Sequence, residues 1–253
     1  MSNQRWAVGV APVAIAGLSL IACTAVLVRG VVRVKSAGEM IRVTGSARKQ
    51  IRSDFIIWKG RIVSQGADIA AAYGTLKASV DKTKAYLTGK GVPAKQILDT
   101  PIVTRLLYAP RTKQEMGYPE QDVYRKVVGY ELSQEVEVRS ENVELVDDLS
   151  RKSTELISSG VVFESEPPEY LYTKLGELKV TMLAEAARDA RARAEQIARN
   201  SGCRLGSVRS ARMSPLRITP AYAVTELDAI GTNDTSALDK DITAVVSVGY
   251  SVR

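Results

Sequence analysis

Apolar and polar residues alternate with a period of two from Asp54 to Val63. Ile56, Trp58 and Ile62 fall on one side; Phe55, Ile57, Lys59, Arg61 and Val63 fall on the other. That period predicts a strand with one core face and one partly solvated face. Ile41 to Ala47 predicts an earlier strand, and the basic stretch Arg48 to Arg52 reads as the connection of an entry β-hairpin. The period then lengthens. Ile69, Tyr73, Leu76, Val80 and Leu87 recur at helical spacing, and Gly89 and Gly91 supply a stop.

Further along, a strand is expected from Ile102 to Tyr108, a polar loop from Pro110 to Asp122, and a long strand in YRKVVGYELSQEVEVR. Ser140 has the side chain of an N-cap for a second helix with a stripe of Val146, Leu149, Ser153 and Leu156, ended by Gly160. VVFESEPPEYLY predicts an edge or bulged strand, because Pro167-Pro168 interrupts it. The longest helix is expected from Lys174 to Asn200, with a small-residue stripe of Leu183, Ala187, Ala190, Ala194 and Ile197. RLGSVRSARM and ITAVVSVGYSV supply the last strands. The order β-β-α-β-β-α-β-α-β-β predicts an α+β fold, with helices packed on a mostly antiparallel or mixed sheet. Ser214 to Lys240 is a long connection, and loops of that length are commonly functional. It is expected to order against a neighbouring subunit. Ala187, Ala190, Ala194, Tyr222 and Leu227 are therefore the candidate oligomer contacts.

The N-terminal region follows a different pattern. Trp6 to Val28 holds no charged residue over 23 positions. At about 1.5 Å per residue that is about 34 Å, enough to cross a bilayer core. Trp6 stands at an interfacial position, Pro12 is tolerated near the start of such a helix, and Leu18, Leu20 and Leu27 give the span its apolar character. An uncleaved signal-anchor is expected over residues 1–31, a linker over 32–40 and one α+β domain over 41–253. A cleaved signal peptide and lipidation at Cys23 are the competing readings. Apolar cores of secretory signals run only about 7–15 residues, and TAVLV stays apolar beyond Cys23. Arg29, Arg33, Lys35 and Arg42 follow the span, so charge bias alone would place the body in the cytoplasm.

Composition narrows the chemistry. The chain has no histidine, which removes Ser-His-Asp and Cys-His nucleophile systems and every His-containing metal site. The formal net charge is +7. TGSARK lacks the spacing of a nucleotide-phosphate loop, so Gly45 reads as scaffold. In RDARARAEQIAR, Asp189 with Arg193, Glu195 with Arg199 and Glu185 with Arg188 are spaced for pairing on a helix surface, against a nucleic-acid patch. Glu164, Glu166 and Glu169 lack the companions of a calcium loop. Asp147 and Asp148 are adjacent on a helix and diverge. Cys203 follows a helix C-terminus, where the dipole disfavours a thiolate. No catalytic, cofactor-binding or metal-binding set emerges, and no small-molecule substrate or nucleic acid is expected. The alternative from charge is a basic membrane-proximal module for anionic lipid or nucleic acid.

Several segments follow one another in a characteristic order: VTGSA ending the first strand, the Asp54-led second strand and its helix, GVPAKQI, Tyr130-Glu131-Leu132-Ser133, and EAARDARARAEQIARNSGCRLGSV. In this order and spacing the chain resembles the SIMPL-domain family of bacterial envelope proteins, from about Ile41 to Val252. The resemblance implies an α+β fold, an extracytoplasmic body opposing the charge bias, and a link to envelope or oxidative stress without a defined reaction. It also implies a protein that partners itself in a high-order ring, cage or channel-like homo-oligomer, and with no catalytic set in the sequence that protein is expected to be non-enzymatic.

Overall fold

The structure, a computed structural model, describes Thr24 and residues 40–110, 126–222 and 233–253. In chain order the elements are β1 (Met40–Arg52), β2 (Phe55–Gly66), α1 (Ile69–Gly89), a 3₁₀ turn (Ala94–Gln96), β3 (Ile97–Asp99), β4 (Val103–Tyr108) and β5 (Val127–Ser140). Then follow α2 (Val143–Lys152), α3 (Glu155–Ser158), β6 (Phe163–Ser165), β7 (Glu169–Leu171), α4 (Leu175–Asn200), β8 (Leu205–Met213), β9 (Arg217–Pro220) and β10 (Asp239–Val252). The fold is α+β, with short strands β3, β7 and β9 added to the expected order. Among the described residues no helix is long and apolar enough to cross a membrane. The expected anchor, with Trp6, Pro12, Leu18, Leu20, Leu27 and Cys23, lies outside the described residues, as does Leu227.

The chain divides into two compact units. One comprises residues up to Arg48, Glu177–Leu216 and Thr243–Arg253; the other comprises Lys49–Gly176 and Arg217–Ile242. In the larger unit β5 pairs antiparallel with β2 over eleven registered positions, from Ile56 opposite Ser140 to Gly66 opposite Tyr130. β3 and β4 extend the sheet from β5, while β6 and β7 extend it from β2. Ile56, Trp58 and Ile62 are buried as the alternation requires, joined from β5 by Leu132, Val136 and Val138. α1 and α2 cover that face with Leu76, Val80, Leu87, Val146 and Leu149. Pro167-Pro168 does divide the expected edge strand, into β6 and β7.

Three local expectations are corrected. The N-cap of α2 is Asn142, whose side chain accepts from Leu145 N; Ser140 is still in β5 and caps Asn142 N instead. On α1, Ile69 and Tyr73 are exposed, and Ala72, Ser79 and Thr83 complete the buried stripe. Ile69 shares the azimuth of Leu76 but lies in the first turn, and Tyr73 lies at the margin of the stripe. Finally, β1 and β2 are not a hairpin. β1 runs on through Arg52 and neighbours β10, whereas β2 pairs with β5, β6 and β7. The link Ser53-Asp54 is held by distant segments: Ser53 N donates to Leu238 O, and the Asp54 carboxylate accepts from Thr173 N at 2.7 Å and Thr173 Oγ1 at 2.9 Å.

In the smaller unit the sheet order is β1-β10-β8, with β8 antiparallel to β10. α4 lies against it with Met182, Ala186, Ala190, Ala194 and Ala198 fully or almost fully buried. This stripe is shifted from the expected one: Ala187 and Ile197 are exposed. Alanines occupy several azimuths of α4, so periodicity alone leaves the buried face undecided. Contact with β1 decides it. A Cβ on Gly45 would lie 2.2 Å from Ala186 O and 2.3 Å from Ala190 N. Only a residue without a side chain permits this approach. Ser46 N then donates to Asp189 Oδ2 at 2.9 Å, fastening helix to strand. That bond, with the Arg193 guanidinium next, holds the Asp189 carboxyl below its usual range.

Candidate interaction surfaces

The charged clusters of the sequence are mostly self-paired. Asp189 bonds Arg193 at 2.9 Å, and Glu195 takes both Arg191 at 3.0 Å and Arg199 at 3.9 Å. The expected Glu185–Arg188 pair is not among the ion pairs of the described residues. Asp147 and Asp148 diverge to Arg151 and Lys152, and Glu164 pairs with Arg61. Cys203 is half-buried, and its Sγ lies 3.4 Å from Ala198 O at the end of α4. Among the described residues no cluster of acidic and cysteine side chains could hold a metal ion.

Of the candidate contact residues, Ala190 and Ala194 are consumed in packing within the smaller unit, each at 0% exposure. Ala187 stays exposed. Tyr222 is 80% exposed, and its backbone is left-handed, with φ 64°. Tyr222 N donates to Asp241 Oδ2 and its hydroxyl accepts from Gln50 Nε2. This ties one end of the long connection down. β9 and the turn around Asp234 order more of it, so Ser214 to Lys240 is partly built structure in the chain itself.

Lys240, absent from every candidate set above, is 2% exposed. Its Nζ donates to the carbonyls of Tyr170 and Asp234. The Asp234 carboxylate accepts from Ser236 N, Ser236 Oγ and Ala237 N, shaping the turn that presents its carbonyl. Burial lowers the Lys240 pKa, with Asp234 opposing. A signal did exist in the sequence. Lys240 is in phase with Ile242 and Ala244, both fully buried, so strand alternation carries it inward.

Two tyrosines share a similar environment. Tyr86 donates to Glu155 Oε2 at 3.0 Å and Tyr170 to Asp147 Oδ1 at 2.6 Å. Burial first, then these carboxylates, pushes each phenol up to about 12. Their folded pKa exceeds the unfolded value of about 10, so the stability they add is full below about pH 10 and is lost as pH rises through about 12. In an absorbance titration, two phenols are expected to ionise last, and Tyr86→Phe and Tyr170→Phe should each remove one. Ionisation of all tyrosines together near pH 10 in folded protein would contradict this.

Two surfaces carry no cover among the described residues. In the larger unit, β4 and the start of β5 form a ribbon whose exposed residues include Val103, Leu106, Tyr108, Val127 and Val128, from 38% to 57% exposed. β4 pairs only with β5, so its other edge has no strand partner among the described residues. In the smaller unit, β8 is an edge strand exposed from Ser207 to Met213.

Both units are thus antiparallel-paired sheets covered by helices on one face, and the class is an α+β protein rich in open edges. Residues 41–250 match the family SIMPL, protein of unknown function (DUF541). The chain belongs to the SIMPL family. No curated protein matches it.

Proposed function

We propose that this SIMPL protein is a non-enzymatic, membrane-anchored envelope protein whose extracytoplasmic body self-assembles into a high-order ring, cage or channel-like homo-oligomer. A role in envelope or oxidative stress is part of the same reading, through the family resemblance. The observation that carries the assembly is the β4–β5 ribbon. The register sets Leu106 opposite Tyr130 and, past a shift at Leu107/Tyr108, Tyr108 opposite Val127, so Leu106, Tyr108 and Val127 share one face of it. A contiguous apolar surface of this kind marks an interaction site in soluble domains. An unpaired strand edge beside it adds a row of backbone donors and acceptors that another chain can complete. Exposed Tyr222, held in a fixed backbone conformation, offers a second contact in the same unit.

The test is light scattering with particle imaging on the full-length chain in mild detergent. The expected result is a closed particle of many subunits. Leu106→Asp with Val128→Asp should reduce it to much smaller species while the far-ultraviolet circular dichroism stays unchanged. A monomeric wild-type chain would sink the reading, and a double variant that assembles normally would remove the ribbon from it.

A further inference from the structure

The exposed face of the smaller unit carries chemistry that self-assembly does not use. Gly45 faces α4, and residues one and three positions away alternate to the other side of β1. Arg42 and Thr44 therefore lie on the face that α4 leaves open. Thr44 Oγ1 is 3.2 Å from Ser247 Oγ, which brings β10 into the same surface. The register of β8 sets Arg212 opposite Ser247 and Ser210 opposite Gly249. Together, Arg42, Ser210, Ala211, Arg212, Ser247 and Gly249 line a groove of about 370 Å³.

Charge is sorted across this unit. Its described acids, Glu177, Glu185, Asp189 and Glu195, all lie on α4. Within the same unit β1, β8 and β10 carry Arg42, Arg48, Arg209 and Arg212 and no acid. Neither Arg42 nor Arg212 is ion-paired among the described residues. Gly249 forms part of the floor. A Cβ there would sit 2.6 Å from Ser210 Oγ and 3.8 Å from Arg42 Cγ, occupying the space between them.

We propose that this groove binds a phosphate group. Two guanidiniums match a charge of about −1.5 to −2 and offer paired N–H donors to its oxygens. Hydroxyls of Ser210, Ser247 and Thr44 can donate to the oxygens that remain. A planar carboxylate carries a single charge and is satisfied by one guanidinium, so it leaves half of the groove unused. The phosphate has two possible sources, a free phosphate or monoester and the monoester headgroup of phosphatidic acid. The groove lies in the smaller unit and the apolar ribbon in the larger, so phosphate binding stands whether or not the chain assembles.

Calorimetry on the full-length chain in neutral detergent tests it. Inorganic phosphate is the probe in one arm, and short-chain dihexanoyl phosphatidic acid in the other. Saturable binding in at least one arm is expected, weakening as salt is raised. Binding of phosphate alone assigns a free phosphate, and binding of the lipid alone assigns a headgroup. Arg42→Gln and Arg212→Gln should each weaken it about tenfold and the pair about a hundredfold, as loss of one charge-assisted contact apiece. Both side chains are exposed, so the variants should fold. Gly249→Ala, which fills the floor while Ser210 can rotate away, should also weaken binding. No saturable binding in either arm would overturn the proposal. So would equal affinity in wild type and the double arginine variant.

Discussion

Gly45→Val is expected to destroy the fold of the smaller unit. The added Cβ alone would meet Ala186 O at 2.2 Å, Ala190 N at 2.3 Å and Ala190 Cα at 2.7 Å. All three are backbone atoms of a helix, so no rotamer change relieves the clash. α4 must lift from β1, and the seat of Ala186 and Ala190 and the Ser46–Asp189 bond go with it. Overpacking in cores costs about 1–3 kcal/mol and sometimes more. A clash with rigid backbone belongs at or above the top of that range. Hydrogen exchange should show the amides of α4 losing protection in the variant. Gly74→Ala is the control. Gly74 lies inside α1, where nothing beyond its own turn of helix comes within 4 Å of the position a Cβ would take. That change should therefore stabilise by about 0.5–1 kcal/mol. Unchanged protection of α4 in Gly45→Val would show that the helix is not seated as described.

Lys240→Ala is expected to have the next largest effect, a loss of about 3 kcal/mol. It would strip the carbonyls of Tyr170 and Asp234 of their buried donor and leave a cavity. Lys240→Met fills most of that space, so it should cost less than alanine. Denaturant unfolding followed by Trp58 emission reads the larger unit directly, since Trp58 is 1% exposed in its core. The pH dependence separates the charge from the packing. Burial puts the folded pKa of Lys240 below the unfolded value of about 10.4. Between those two values the unfolded chain binds more protons, so this contribution to stability rises with pH. It is complete above about 10.4 and is lost as pH falls through the folded pKa. Lys240→Met should abolish that rising component. An alanine variant as stable as wild type would mean that the amine is not the clamp joining Tyr170 to the Asp234 turn.

The two variants probe features of different legibility. Gly45 stood out in the sequence as a glycine among strand residues, and its role as scaffold was readable; the helix that requires it was not. Lys240 looked like the polar end of a loop because the preceding residues show no strand period. Alternation with Ile242 and Ala244 was the available clue. The groove was invisible for a further reason. Arg42, Arg212 and Ser247 come from three strands far apart in the chain, and only pairing through β10 makes them neighbours. On the alanine-rich helix composition is uniform and its periodicity did not reveal the covered face: Ala190 and Ala194 are buried inside their own unit, and Ala187 is exposed. The β4–β5 ribbon escaped notice because a strand in the sequence reveals its apolar residues without revealing which of them the fold leaves uncovered.

Local periodicity determined much of this protein by itself. It placed the inward face of β2, the extent of α1 and α4 and the break at Pro167-Pro168, because side-chain direction follows from backbone repeat alone. The ordered segments from VTGSA to the SGC stretch also carried the family. Tertiary structure decided which strands share a sheet. β1 and β2 are separated by two residues and still take partners from different parts of the chain, β10 for one and β5, β6 and β7 for the other, and the hydrogen bonds of Ser53 and Asp54 go to Leu238 and Thr173. It also decided which face of an alanine-rich helix is buried, because the close approach at Gly45 selects one azimuth among several of similar hydrophobicity.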